Sequence, residues 1–199
     1  MILYLHGFRS SPQSFKSQRL RKHLASLGRL SQWACPALPV QPDQAIQIAS
    51  DEAQRLLREH PDATPDQLTI IGSSLGGFYA IYLAEKLGCR AVLLNPAVHA
   101  DRDLEKYLGE LTNFHTGEAA LFTREDLDNL RALVVPNITR PERYFLIAAT
   151  GDEVLNWREM QAMFAQSPQK IIAGSDHGLS DFEQHLTDVM AFVDANTQK

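Results

Sequence analysis

Gly72-Ser73-Ser74-Leu75-Gly76 is a G-x-S-x-G run, the spacing in which a serine can be lifted out of a sharp strand-to-helix turn and used as a nucleophile. Glycines are needed two residues to either side because strand and helix approach too closely there for a side chain. The central serine then sits at a helix N-terminus, where free N–H groups favour a developing oxyanion. Chance alone produces such a run in roughly one chain in fifteen of this length, so its weight comes from what accompanies it. Ser73 lacks glycines at both offsets and reads as a packing or hydrogen-bonding residue.

A serine hydroxyl is a poor nucleophile without a general base, and that base needs a carboxylate to fix its tautomer; in the chain order tied to this motif the carboxylate comes second and the histidine last. Thr150-Gly151-Asp152-Glu153-Val154 and Gly174-Ser175-Asp176-His177-Gly178 supply them. Taken singly, His177 reads as a surface loop residue and Asp152 as the cap of a helix starting near Leu155. Taken in order, they read as base then acid (His177) and as its orienting carboxylate (Asp152), with Ser74 as nucleophile. Glu153 and Asp176 are the rival carboxylates; neighbouring side chains on an extended segment point to opposite sides, which counts against Asp176. The oxyanion hole needs a second backbone N–H beside that of Leu75, and His6-Gly7-Phe8 offers the N–H of Phe8, with Gly7 allowing close approach. His6 is expected to be buried and to fold this loop without transferring protons. His99 and His115 are expected at the surface. No H-E-x-x-H, paired C-x-x-C or G-x-x-x-x-G-K occurs, so no metal and no cofactor is expected, and Cys35 and Cys89 read as ordinary thiols.

The elements that must position these residues alternate between short apolar runs and amphipathic stretches. Strands are expected at Ile2 to Leu5, Leu30 to Cys35 (weak, with a polar middle), Leu68 to Ile71, Ala91 to Leu94, Tyr144 to Ala149 and Lys170 to Ala173. Helices are expected from Phe15 to Leu27, from about Asp43 to Glu59, from Leu75 to Leu87, around Trp157 to Phe164, and at the end of the chain through Phe182, Leu186, Val189 and Phe192. The pattern is that of an α/β fold with a doubly wound, mostly parallel sheet, whose ligands collect beyond the carboxyl ends of the strands. Ser74, Asp152, His177 and Phe8 all follow such ends. Between Asn95 and Pro141 the rhythm breaks. An insertion at about 96–141 is expected, with one helix holding Leu104, Tyr107, Leu108 and Leu111 and another holding Leu127, Leu130 and Leu133, serving either as a crossover or as a lid.

Composition narrows the class. The 199 residues carry 19 Lys+Arg against 24 Asp+Glu, a formal charge of −5, with 44% hydrophobic residues and two cysteines. These values suit one globular domain and argue against disorder, a disulfide framework and a general nucleic-acid binder. No apolar run is long enough for a membrane span, and no secretory or transit pattern opens the sequence, so a cytoplasmic setting is expected. The charge is uneven: residues 1 to 42 hold Arg9, Lys16, Arg19, Arg21, Lys22 and Arg29 and no acid. Such a cluster is usually a solvated helix face, though it could attract a phosphate-bearing acyl carrier such as CoA.

With these residues assembled, the chain resembles the α/β-hydrolase superfamily and, within it, the small YqiA-type esterases. The residues that carry the resemblance are Tyr4-Leu5-His6-Gly7-Phe8, Ser10-Ser11-Pro12, Ile71 to Gly77, Asn95-Pro96-Ala97, Thr150 to Val154 and the His177 segment. The resemblance implies a six-stranded sheet in order 2-1-3-4-5-6 without an amino-terminal hairpin, a Ser74-Asp152-His177 triad with Phe8 and Leu75 as oxyanion donors, and hydrolysis of small acyl esters or acyl-CoA thioesters. Acyltransferase or peptidase activity would use the same triad, and a non-catalytic binding protein could keep the fold.

Overall fold

The computed structural model describes residues 1–113 and 117–195. Four apolar residues, Ile2–Leu5, open it as β1, buried along their whole length because the sheet is covered on both faces. Alternate side chains go to opposite sides. Ile2 and Tyr4 join Ile71, Val92, Leu94 and Ile147 against one helical layer, while Leu3 and Leu5 join Ile70, Leu93 and Leu146 against the other.

The first layer is built from α1 (Phe15–Ser26), through Leu20 and Leu24, and from α7 (Leu186–Asp194), through Val189 and Val193. The second uses α2 (Pro42–Glu59), whose Ala45, Ala49 and Ala53 form a small-residue face that lets the helix lie close, and α3 (Leu75–Leu87), through Phe78, Tyr79 and Leu83. Strands β2 (Trp33–Ala34), β3 (Thr69–Ser73), β4 (Arg90–Leu94), β7 (Tyr144–Ala149) and β8 (Gln169–Ile172) complete a parallel sheet in the order β2-β1-β3-β4-β7-β8. Helix α6 (Trp157–Met163) joins the last two. The strand order is the expected one, with two further strands interposed in the numbering by the insertion. Pairing of Leu5 with Gly72, Leu94 with Ile147 and Ala149 with Ile172 sets the carboxyl ends side by side.

Three elements differ from expectation. The second strand shrinks to Trp33–Ala34, because the polar Ser31-Gln32 pair is taken up in a 3-10 turn, Leu30–Gln32, at the sheet edge. The first insertion helix does not run to Leu111: α4 is Ala100–Leu104, a 3-10 turn follows at Glu105–Tyr107, and Gly109 at φ 117° ends helical geometry. Beyond it, β5 (Gly109–Thr112) pairs antiparallel with β6 (Ala119–Phe122), a two-stranded ribbon whose residues alternate in exposure with a period of two. The second insertion helix, α5 (Arg124–Ala132), is close to expectation and buries Leu127 and Leu130; Thr123 caps it in a reciprocal pair with Asp126. The last helix begins as a 3-10 turn, Phe182–His185, before α7.

Candidate active site

The turn from β3 into α3 forces Ser74 to φ 54° and ψ −121°, a conformation that costs a non-glycine residue about 1–3 kcal/mol and is held only by its surroundings. Those surroundings are tight. A Cβ on Gly72 would overlap the Gly76 carbonyl, and one on Gly76 would overlap the carbonyl of Leu5 on the neighbouring strand. Gly77 is constrained as well, since a Cβ there would lie 2.6 Å from Cβ of Pro96. The motif glycines are thus demanded by the approach of α3 to β1 and β3.

The structure brings Ser74, His177 and Asp152 into one hydrogen-bonded chain. His177 Nε2 lies 3.0 Å from Ser74 Oγ, and His177 Nδ1 lies 2.8 Å from Asp152 Oδ2. The Asp152 side chain is fully buried, and its other oxygen accepts the N–H groups of Val154 and Leu155, both at 2.8 Å. Asp152 therefore caps the turn after β7 with one oxygen and faces the imidazole with the other. Its rivals are used elsewhere. Glu153 accepts the backbone N–H of His177 at 2.9 Å, and Asp176 accepts the N–H of Ser180 at 2.8 Å. Asp176 is turned from the ring by a tight turn, which replaces the extended segment expected there.

His6 is buried with both ring nitrogens engaged: Nε2 accepts the N–H of Leu38 at 3.0 Å, so Nδ1 carries the proton and donates to the Gly7 carbonyl at 3.0 Å. This imidazole joins the loop after β1 to the loop before α2. Phe8 and Leu75 share one pocket wall with Ser74, and among the described residues neither N–H is spent on a protein acceptor. Gly7 abuts Ser74, where a Cβ would come 3.2 Å from that of the serine. Ser73 is buried, His99 is exposed, and His115 lies outside the described residues.

A pocket of about 230 Å³ opens over Ser74 and His177. Phe8, Leu75 and Leu155 line it from the core and Ala97, Leu104 and Tyr107 from the insertion, with the charged Arg9, Asp103 and Lys106 also in its wall. Phe8 packs against Tyr107 and Phe122, with ring centroids 5.8 and 5.4 Å away, and Arg9 Nε donates to the Thr112 carbonyl at 2.6 Å. The insertion is thereby fastened to the loop that carries Phe8. A larger cleft of about 740 Å³ lies at the opposite, amino end of the sheet, among Arg90, Arg140 and Arg143, away from Ser74.

The amino-terminal cations do not form one exposed face. Lys16 is buried and donates to the Gly178 carbonyl, Arg19 pairs with Glu183 at 3.5 Å, and Arg29 pairs with Asp194 at 2.8 Å. Desolvation brings the Lys16 ammonium down to about 8, against the opposing pull of Asp176 and Asp152. Burial pushes the Cys35 thiol up to about 11 and that of Cys89 to about 12, so both stay protonated and neither is a ready nucleophile. Among the described residues no group of His, Cys, Asp and Glu could hold a metal ion, and no helix is long and apolar enough to cross a membrane.

Sequence reasoning singled out neither Asn95 nor Lys16 as part of this arrangement. Asn95, fully buried at φ 43°, accepts the Ala149 N–H on Oδ1 at 2.8 Å and donates from Nδ2 to the carbonyls of Asp176 and His177 at 3.0 and 3.1 Å. A signal existed for each: an asparagine ending a buried strand suits a left-handed residue, and Lys16 shares the i, i+4, i+8 stripe of Leu20 and Leu24.

Residues 1–194 match the uncharacterised protein family UPF0227. The chain belongs to that family. A UPF0227 protein of Shewanella sediminis (strain HAW-EB3) is 30% identical over 105 residues, which is 52% of this chain and 55% of that protein, so the match spans about half of each. Solved structures extend the likeness to the whole fold. A structure from the work on the metagenome-derived lipolytic enzymes LipS and LipT is 17% identical, with a TM-score of 0.69 over 98% of this chain and 93% of its own. Alpha/beta hydrolase domain-containing protein 10 from mouse is 15% identical, with a TM-score of 0.68 over 98% and 89%. Est1E from Butyrivibrio proteoclasticus is 15% identical, with a TM-score of 0.57 over 98% and 86%. At these identities the likeness shows the fold, and this UPF0227 chain has the α/β-hydrolase fold expected from its motifs.

Proposed function

We propose that this protein is a serine hydrolase that cleaves small acyl esters or thioesters through an acyl-enzyme on Ser74. The observation that carries the reading is the continuous chain from Ser74 Oγ through His177 to buried Asp152, with spans of 3.0 and 2.8 Å, at a strained elbow open to a pocket. Ser74 Oγ attacks the acyl carbonyl carbon while His177 Nε2 takes its proton, and Asp152 stabilises the imidazolium so formed. The N–H groups of Phe8 and Leu75 receive the oxyanion. Collapse of the tetrahedral intermediate breaks the bond to the alcohol or thiol, which leaves with the proton from His177. Water then repeats the sequence and frees the acid and Ser74. No step calls for a cofactor. The apolar wall formed by Phe8, Leu75, Leu104 and Leu155 suits an uncharged acyl group, and the volume of about 230 Å³ suits a short one. Of the amino-terminal cations, Lys16 is buried, Arg19 and Arg29 are paired and Arg21 and Lys22 are exposed, while Arg9 lines the pocket itself, the one member of the cluster placed to meet a phosphate-bearing acyl carrier there.

The test is intact mass after exposure to a fluorophosphonate, with p-nitrophenyl butyrate turnover followed in parallel, for the wild type and Ser74→Ala. We expect one adduct on the wild type and none on the variant, with kcat lower by roughly 10³-fold or more and KM little changed. A wild type that takes up no label would overturn the reading and leave a ligand-binding protein on a hydrolase fold.

A further inference from the structure

Three consecutive carbonyls of the loop after β8 are tied to side chains from distant elements. Asn95 Nδ2, at the end of β4, donates to those of Asp176 and His177 at 3.0 and 3.1 Å, and Lys16 Nζ, from the first turn of α1, donates to that of Gly178. The N–H of His177, between the first two of them, goes to Glu153 at 2.9 Å. The loop is bracketed by left-handed residues, with φ of 74° at Gly174, 58° at Ser175 and 49° at Leu179. Such a backbone persists only when its surroundings over-determine it.

Lys16 is the costly member of this set. It is 8% exposed, and burial of an ammonium opposes folding unless the charge is used. A methionine would fill a similar volume without that cost, and Leu20 and Leu24 continue the same apolar stripe. A cation in this place has a use that packing does not require. Its donor lies one residue from the imidazole that faces Ser74, and its field meets Asp176 and Asp152.

We propose that Lys16, together with Asn95, is a positioning residue that clamps the backbone of the His177 loop so that the imidazole stays aligned between Asp152 and Ser74. The inference rests on the hydrolase reading above. It assigns to the amino-terminal helix a part in the reaction without contact to substrate. Misplacement of a reacting group by about 1 Å can cost on the order of 10²-fold in rate, and that is the loss this clamp prevents.

The experiment compares wild type, Lys16→Met, Lys16→Gln and, as a control, Lys22→Met, whose side chain is exposed on the same helix. Three readings are taken: kcat and KM for p-nitrophenyl butyrate, the rate of fluorophosphonate labelling at Ser74, and amide hydrogen exchange along the chain. We expect Lys16→Met to lose on the order of 10²-fold in kcat and labelling rate while KM stays within about twofold. Exchange should quicken at residues 175–180 with the core strands still protected, and Lys22→Met should match the wild type. Should Lys16→Met not fold, Lys16→Gln carries the same expectations. Unchanged exchange at 175–180, or unchanged kcat, in the folded variant would overturn the clamp. So would exchange rising throughout the molecule as kcat and KM shift together, the mark of a general structural role. A wild type that never labels at Ser74 would overturn the hydrolase reading, and the clamp's catalytic part with it, whatever the exchange data show.

Discussion

At Lys16 a charge is kept where desolvation opposes it, and the consequence for stability has a definite sign. Its folded-state value, about 8, lies below the 10.5 of a free lysine. Below pH 8 both folded and unfolded chains hold the proton, and the folded state bears the whole penalty, about 3 kcal/mol for a shift of this size. As pH rises from 8 toward 10.5 the folded chain releases its proton first and the penalty fades, so this group's contribution becomes more favourable with rising pH. Lys16→Met, which lacks the penalty at every pH, should therefore compare best with the wild type near pH 7 and progressively less well above pH 8. Urea midpoints of the two proteins at pH 7, 8.5 and 9.5 check this, and a difference independent of pH would refute it. The residue scale is also where the sequence was least explicit about partners. Glu153, Asp176 and Asp152 are all acidic neighbours of strand ends, yet only Asp152 faces the ring, because the turns after β7 and β8 commit the other two to backbone N–H groups.

Among the elements, the β3–α3 elbow is the one most fully written in local sequence. Its glycines, its serine and the β-branched run before it are contiguous, and each answers to the same close approach of helix and strands. Gly76→Ala tests that approach directly, because the new Cβ meets the backbone carbonyl of Leu5, which cannot swing aside. We expect a loss of at least about 3 kcal/mol in unfolding free energy and a steep fall in Ser74 labelling even where the variant stays folded. Denaturant titration and labelling kinetics would report both, and a variant equal to the wild type in both would show the elbow to be looser than its geometry. Elsewhere local sequence said less. The ribbon of β5 and β6 was hidden because Leu104, Tyr107, Leu108 and Leu111 keep helical spacing across Gly109, and an apolar run of this length serves either period until a partner strand decides. The edge strand β2 is short for the opposite reason: a polar pair with one neighbour gains too little from pairing to extend.

Across the whole molecule, the pocket is an assembly of parts from both ends of the chain. Phe8 comes from the loop after β1, Leu75 from α3, Leu104 and Tyr107 from the insertion, and Leu155 and His177 from the last third. If this space holds the acyl group, Leu104→Trp should narrow it. We expect kcat/KM for p-nitrophenyl esters to fall more steeply with acyl length than in the wild type, with acetate nearly spared. Equal loss for acetate and octanoate would place the acyl chain elsewhere. The alternation of strand and helix, the parallel sheet and the elbow were legible in the chain alone, because period, turn chemistry and glycine placement act between near neighbours. The sequence favoured Asp152 over its rivals on side-chain direction, but what Glu153 and Asp176 do instead, what walls the pocket, and the burial of Lys16 against Gly178 instead of in a basic face appear only in the folded chain. Those outcomes depend on pairs such as Lys16 with Gly178 and Asn95 with Asp176, 162 and 81 positions apart. No local pattern encodes such a distance; it is fixed when both faces of the sheet are covered and the strand ends come level.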